Sequence, residues 1–291
     1  METLEVLGRK IKTSNDLLSV VKTMKSLAAV NIRQYEAAAE AMDEYKEIVD
    51  TAWQALFKNR PQLPRKQLSS QAVVLVLGSD QGMCGQFNET IIQSAIQKAR
   101  SLKTEGLDTI FWTAGERVRA GIEEETEVEE HFFLPSSPAA IGDLMNKIVS
   151  HYSQRHENRK METFIICYNR LERGGVYAPV FQKILPLEPY SGDDKNSKPW
   201  PTRCLPLIRM DTGLFFEHLF HQHIFSAIYK AFSQSLASEN AARLASMQAA
   251  EKNIVEMEET LQSKFRETRQ NAITAELLDI ISGFEALAPI E

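Results

Sequence analysis

The sequence predicts an α+β protein: a long antiparallel two-helix coiled coil, built from the two ends of the chain, carries an inserted α/β domain. Three observations predict this. From Leu214 to Ser282 run 69 residues without Gly or Pro, between Gly213 and Gly283. Between Gly8 and Pro61 lie 52 more. The stretch between these runs instead alternates short β-branched apolar runs with helical patterns. At 1.5 Å per residue the C-terminal run alone would reach on the order of 100 Å, a length that suits a shaft rather than a helix of a compact domain.

The first helix is placed over residues 1–60. Ile11, Leu18, Val21, Ala28, Ile32, Tyr35, Ala39, Met42, Val49 and Leu56 recur along it at helical spacing. PQLPRKQLSS (61–70) is a polar, Pro-containing break. The α/β domain follows over 70–190. AVVLVL (72–77) reads as a buried strand, and GSDQGMCGQFN as the loop after it. Asn88 is placed to N-cap a helix carrying Ile91, Ile92, Ala95 and Ile96, with Glu89 in its first turn. That helix ends near Gly106. DTIFWTAG (108–115) is the second strand, and a short helix follows Gly115. The next helix opens on Ser137 as cap with Pro138 at its first position, and repeats Leu144, Ile148 and Tyr152. METFIICYN (161–169) is the third strand. A turn at Gly174-Gly175 leads to a further strand within 170–187. Alternating strands and helices imply parallel strands. PYSGDDKNSKPW (189–200) reads as loop, within a connection over 191–212.

The second long helix is placed over 213–291. Its stripe is Phe225, Ile228, Phe232, Leu236, Leu244, Met247, Ile254, Met257, Leu261, Phe265 and Ile273. A lone helix cannot bury such a stripe, and the N-terminal helix supplies the partner. The alternative is two separate amphipathic helices packed on a globular body.

Composition excludes several classes. The net charge of −6 argues against a general nucleic-acid binder. From Gly8 to Arg33 the chain is locally basic (Arg9, Lys10, Lys12, Lys22, Lys25, Arg33 against Asp16), and EEETEVEE (123–130) is a solvated loop or strand edge. Cys84, Cys167 and Cys204 match no metal or redox spacing and fit free thiols in a reducing compartment. No segment is apolar for the length of a bilayer span, and no signal-peptide core opens the chain.

The chemical motifs are weak. Gly78, Gly82 and Gly85 sit where a phosphate loop would, but lack G-x-G-x-x-G spacing and a Gly-Lys-Ser/Thr. A tight turn explains them better. His218 and His221 share a helix face while His223 points elsewhere. Cys84 has no catalytic spacing around it. Catalytic, cofactor-binding and metal-ligating residues are therefore expected to be none, with a coiled-coil scaffold bearing a ligand-binding module as the alternative function.

Three stretches together carry a family resemblance. IKTSNDLLSVVKTMKSLAAVNIR (11–33) resembles the opening helix of the gamma subunit of F-type ATP synthases, at Lys12, Lys22, Met24, Ala28, Ala29 and Arg33. SDQGMCGQFN (79–88) is similar to that family's Ser-Asp-Arg-Gly-Leu-Cys-Gly-Gly-Leu-Asn loop. SENAARLASMQAAEKN (238–253) and TRQNAITAELLDIISG (268–283) resemble its C-terminal helix, with Arg269, Gln270, Ile273, Thr274, Glu276 and Leu277 in place. The resemblance implies a Rossmann-like α/β domain beside a shaft seated in a ring of alpha and beta subunits, next to the epsilon subunit and the membrane c-ring. It implies a rotor without catalysis of its own, held peripherally at the cytoplasmic face of a bacterial inner membrane. Lys22, Met24, Lys25, Arg33, Arg269, Gln270, Thr274 and Glu276 would be the coupling contacts to the ring. Departures are Asn15 and Asn31 in place of Lys, Gln81 in place of Arg, Gln86 in place of Gly, and the bulkier tail Phe284–Glu291; these suggest a divergent or alternative bacterial form.

Overall fold

The computed structural model describes residues 3–58, 68–135, 137–156, 161–172, 176–186, 200, 204 and 207–287. The helices are α1 (Leu4–Lys58), α2 (Phe87–Thr104), α3 (Glu116–Glu123), α4 (Pro138–His156) and α5 (Thr212–Leu287). The strands are β1 (Leu68–Leu77), β2 (Asp108–Ala114), β3 (Val128–Phe132), β4 (Met161–Leu171) and β5 (Tyr177–Leu185). The protein is therefore α+β, with a long helix at each end and a mixed sheet between. It divides into two compact units: residues 1–27 with 244–291, and residues 28–243.

The larger unit, residues 28–243, is built on the sheet, in strand order β3-β2-β1-β4-β5. β1 pairs parallel with β2 and β4, and β2 pairs parallel with β3. β5 runs antiparallel to β4, because the two are joined without a crossover helix. The central strand β1 alternates its side chains between two cores. Val73, Leu75 and Leu77 face one core with Trp112, Phe164, Ile166 and Tyr168. Ala72, Val74 and Val76 face the other, where Ile91 and Ala95 of α2 and Val118 and Ile122 of α3 cover them.

The first face is closed by Ile141, Met145 and Ile148 of α4, but also by Tyr35 of α1 and by Ile228, Phe232 and Leu236 of α5. Segments of the long helices are thus part of the domain core. The two segments approach each other at Asn31–Asn240 and Tyr45–Phe225 and through Lys230 with Asp43, so one ascends as the other descends. Farther along, Val49, Trp53 and Leu56 pack with Leu219, and Trp53 meets Phe216 edge to face.

Several expectations need correction. Asn88 does not cap α2, which begins at Phe87 after Gln86 and has no side-chain cap. Its amide is drawn into the loop, where Oδ1 accepts the Ser79 N–H at 3.0 Å. The acidic run, expected as a solvated loop or strand edge, gives Val128–Glu130 to β3, an edge strand of the sheet, whose five residues are too few for period-two patterning to mark it as a strand of its own. α5 starts at Thr212, where the Asp211 carboxylate accepts the Gly213 and Leu214 N–H groups, and it continues through Gly283. Pro138 does open α4. The 61–67 break, the Gly174-Gly175 turn, residues 189–199 of the loop and the final 288–291 lie outside the described residues.

In the smaller unit, residues 1–27 and 244–291, the two helical segments meet through the Lys25–Glu251 ion pair. A methyl at Gly8 would lie 3.9 Å from the Phe265 ring. The direction is again antiparallel. Among the less exposed positions, one series on α1 is Leu4, Leu7, Ile11, Ser14, Leu18, Val21 and Lys25, and one on α5 is Met247, Glu251, Ile254, Glu258, Leu261, Phe265, Thr268 and Ala272. Both series step by threes and fours. Met257 and Ile273, expected on the stripe, are 46 % and 48 % exposed. Both neighbour true seam positions, and apolar identity alone drew them in where spacing chooses Glu258 and Ala272.

Candidate interaction surface

Once the seam is used for helix pairing, a second set of apolar residues in the smaller unit remains uncovered. On α1 these are Val6, Leu17, Val20 and Leu27, with Leu27 at 59 % exposure. Leu17, Val20, half-buried Met24 and Leu27 follow one another at steps of three and four, rotated from the seam by about one residue, or roughly 100°. On α5 they are Val255, Met257, Ile273, Leu277, Leu278, Ile280 and Ile281. The last five occur close to the end of α5 and spread around the helix, so no single neighbour could cover them. A soluble surface does not ordinarily carry so long a succession of aliphatic side chains unless something packs against it.

The residues singled out in the sequence fall into separate places. Lys22 is exposed, Met24 is half-buried, and Lys25 is turned into the seam against Glu251. Arg269, Gln270, Thr274 and Glu276 are exposed on α5, with the Thr274 hydroxyl donating to the Gln270 carbonyl at 2.9 Å. The level of α5 that faces Lys25 is Glu251, so Arg269 stands 18 residues away along the helix, roughly 27 Å. The two groups are distinct bands. Arg33 belongs to the larger unit and is exposed there. Lys12 and Lys22 stand exposed on α1, while Arg9 is tied to Glu5 at 3.2 Å one turn away.

Glu251 and Glu258 were not recognised from the sequence as seam residues. The signal existed: both fall at threes and fours from Met247, Ile254 and Leu261. A carboxylate in an apolar series is easily discounted.

The loop between β1 and α2, in the larger unit, is filled by its own side chains. The Ser79 hydroxyl donates to the Gln81 carbonyl at 2.8 Å, and Asn88 Nδ2 lies 2.8 Å from the Ser79 hydroxyl and 3.4 Å from Cys84 Sγ. Asp80 accepts the Glu116 and Leu134 N–H groups at 3.1 and 3.2 Å, joining the loop to the ends of β2 and β3. Met83 and Gly85 take φ of 62° and 60°, which lets the chain turn sharply. A Cβ at Gly78 would fall 1.8 Å from Val118 Cγ2. These are the marks of a packed turn.

Against the loop, Arg243 of α5 pairs with Glu239 at 2.6 Å and reaches the Gln81 carbonyl at 3.5 Å. Burial pushes the Glu239 carboxyl up, and Arg243 opposes the shift. Burial likewise pushes the Cys84 thiol up, against the Ser79 hydrogen bond. An unreactive protonated thiol suits structure, not nucleophilic chemistry.

His218 and His221 are exposed; His223 is half-buried beside Trp53. Burial pushes His223 down, while Asp50 pulls it up. Among the described residues no group of three or more His, Cys, Asp or Glu gathers as a metal site. No helix among them is long and apolar enough to cross a membrane.

Comparison with known proteins supplies the family context. The model of the family described as ATP synthase matches residues 3–287. An ATP synthase gamma chain of Polynucleobacter asymbioticus is 25% identical over 299 residues, covering 99% of this chain and 100% of that one. The gamma chain of Acidiphilium cryptum is 26% identical over 300 residues, with coverage of 99% and 100%. Among solved structures, a chain of the Euglena gracilis mitochondrial ATP synthase rotor gives a TM-score of 0.62 at 13% identity, covering 93% of this chain and 98% of that one. A chain of the Euglena gracilis OSCP/F1/c-ring structure gives 0.65 at 15% identity, covering 98% and 94%.

Proposed function

The chain belongs to the ATP synthase family, and from that premise we propose that it is the gamma subunit: the central-stalk rotor of an F-type ATP synthase. It transmits rotation between an ion-driven membrane ring and a catalytic alpha/beta ring. It has no active site of its own; ATP synthesis or hydrolysis belongs to the complex. Its partners are the alpha and beta subunits, the epsilon subunit and the c-ring, at the cytoplasmic face of a bacterial inner membrane.

One observation carries this reading: the aliphatic residues left exposed on α1 and α5 after the helices have paired. A rotor shaft needs such a surface, because its end turns inside a sleeve made by other chains. Two unlike helices have no threefold symmetry. They present a different face to each of the surrounding catalytic sites and so favour a different conformation in each, through differential contacts.

The finer architecture follows the same reading. The repeated three-four seam is that of an antiparallel coiled coil. The parallel strands with helices on both faces form a Rossmann-like domain. The division is residues 1–60 and 213–291 for the shaft, 70–190 for the domain and 191–212 for the connection. The ring contacts are Lys22 and Met24 as one band and Arg269, Gln270, Thr274 and Glu276 as another, both in the smaller unit, with Arg33 a further contact in the larger unit. Lys22 and Arg33 guide by charge rather than bind tightly. Lys25 approaches the ring from the rim of the seam.

Native mass spectrometry of this chain, co-expressed with alpha and beta subunits of its own organism, tests the proposal. The expected species contains three alpha, three beta and one copy of this chain, with ATPase activity. If alpha and beta assemble around another chain and leave this one alone, the reading is wrong.

A further inference from the structure

In the larger unit, where α1 ends and α5 begins, a groove of about 580 Å³ opens beside the Trp53 cluster. α1 lines it with Ile48, Ala52 and Ala55, α5 with Phe215, and the residues just before α5 with Leu207 and Met210. Ala52 and Phe215 also pack on the Trp53 cluster, so one side of the groove is anchored in that core. Ile48 and Leu207 are 68 % and 79 % exposed, so the groove is open to solvent. An exposed succession of apolar side chains of this kind marks a binding surface. The volume is that of a small-molecule site, which spans about 300–1,000 Å³.

Three side chains bring polar groups to the groove. The Thr51 hydroxyl donates to the Glu47 carbonyl at 2.8 Å, and the Trp200 indole N–H donates to the Cys204 carbonyl at 2.9 Å, so both donors are spent. The third is the Arg209 guanidinium, exposed and without a hydrogen-bond or ion-pair partner among the described residues. Its charge and its fork of N–H donors suit a carboxylate. A peptide laid in the groove would bring a row of backbone N–H and C=O groups against side chains that leave one cation to meet them, and unmet polar groups out of water cost free energy. An unbranched aliphatic chain with one anionic end brings one apolar body and one charge, which matches what the side chains offer.

We infer that this groove binds a single-chain amphiphilic anion, a long-chain carboxylate, with its chain along Ile48, Ala52 and Phe215 and its head on Arg209. Bound there, the ligand ties the residues just before α5 to α1. The site goes beyond the rotor reading and does not depend on it.

The test titrates the full-length chain with ω-bromododecanoate, below its micelle-forming concentration, and reads the quenching of tryptophan fluorescence. Trp200 lines the groove, so Trp200→Phe identifies the share of quenching that arises there. That share should saturate at one equivalent. Unbrominated octanoate, decanoate and dodecanoate should displace the probe with affinity rising about fourfold per methylene. Arg209→Gln should weaken dodecanoate about fivefold and leave dodecanol unchanged. Ile48→Asp, a change at an exposed position, should reduce the quenching to the level of Trp200→Phe. Uptake of several equivalents that ignores Ile48→Asp and Arg209→Gln is partition onto exposed aliphatic side chains elsewhere, and it overturns the inference. So does equal displacement by dodecanol and dodecanoate. In the assembled complex the quenching should persist; a complex that excludes the probe has a protein segment as the occupant of the groove, which also overturns the inference. Failure of this chain to enter the complex refutes the rotor reading and leaves the titration of the isolated chain to decide the site.

Discussion

Substitution of Gly115 by Ala should destabilise the larger unit by about 3 kcal/mol. Gly115 joins β2 to α3 with φ at 109°, a conformation that strains any residue with a Cβ. The added Cβ would lie 2.9 Å from the Ser79 nitrogen and 3.0 Å from the Gly78 and Ser79 carbonyl carbons. These neighbours are backbone, and they cannot give way. The Gly78 N–H donates to the Ala114 carbonyl at 2.8 Å, and the Arg117 N–H donates to the Ser79 carbonyl at 3.0 Å. Asn88 holds the Ser79 N–H from the other side. Backbone strain contributes about 1–3 kcal/mol, and overpacking against fixed atoms about 1–3 kcal/mol more.

Native-state hydrogen exchange of the Val73–Leu77 amides reads the effect, because these central-strand groups exchange only when the unit opens. A loss of about 3 kcal/mol accelerates them roughly 100-fold. Gly142→Ala in α4 is the control: its Cβ would meet nothing within 4 Å, and its helical position should gain about 0.5–1 kcal/mol. Acceleration by less than about fivefold in Gly115→Ala, or equal behaviour of the two variants, would refute the close-approach argument.

Two further outcomes are expected. Because burial holds His223 below its ordinary pKa, the unfolded chain binds the proton more readily; stability tied to neutral His223 is present above about pH 6.5 and is lost as pH falls from there through the lowered folded value. Urea titrations at pH 7 and pH 5 should show a smaller difference for His223→Gln than for the parent, and an unchanged difference would contradict the assignment. Exposed Cys204 should react with a thiol reagent at once, whereas Cys84 and Cys167, both buried and both pushed up by burial, should react only on unfolding.

Much of the shape was legible in the sequence. The two Gly- and Pro-free runs announced α1 and α5, because length and the absence of breakers are local properties. The β-branched runs announced β1, β2 and β4 for the same reason. The glycine-rich loop reads as a tight turn, and Met83 and Gly85 within it show the positive φ that such turns require. Family membership was legible too, since it rests on residue order.

What the tertiary structure alone decided were choices between equivalent neighbours. Met257 and Glu258 are adjacent, and only the partner helix makes Glu258 the seam residue and leaves Met257 exposed. Asn88 could have capped α2, but Ser79, nine residues earlier in sequence and in contact in space, claimed its amide. Tyr35 and Phe232 carried the same periodic signature as residues of a free shaft, yet they close a face of the sheet. Lys25 looked like one more member of a basic track until Glu251, 226 residues away, took its charge into the seam. In each case the local pattern specifies that a residue is apolar, polar or charged at a given angle of its helix. The group that meets it is set by contacts far apart in the chain, whose energies no short stretch of sequence contains.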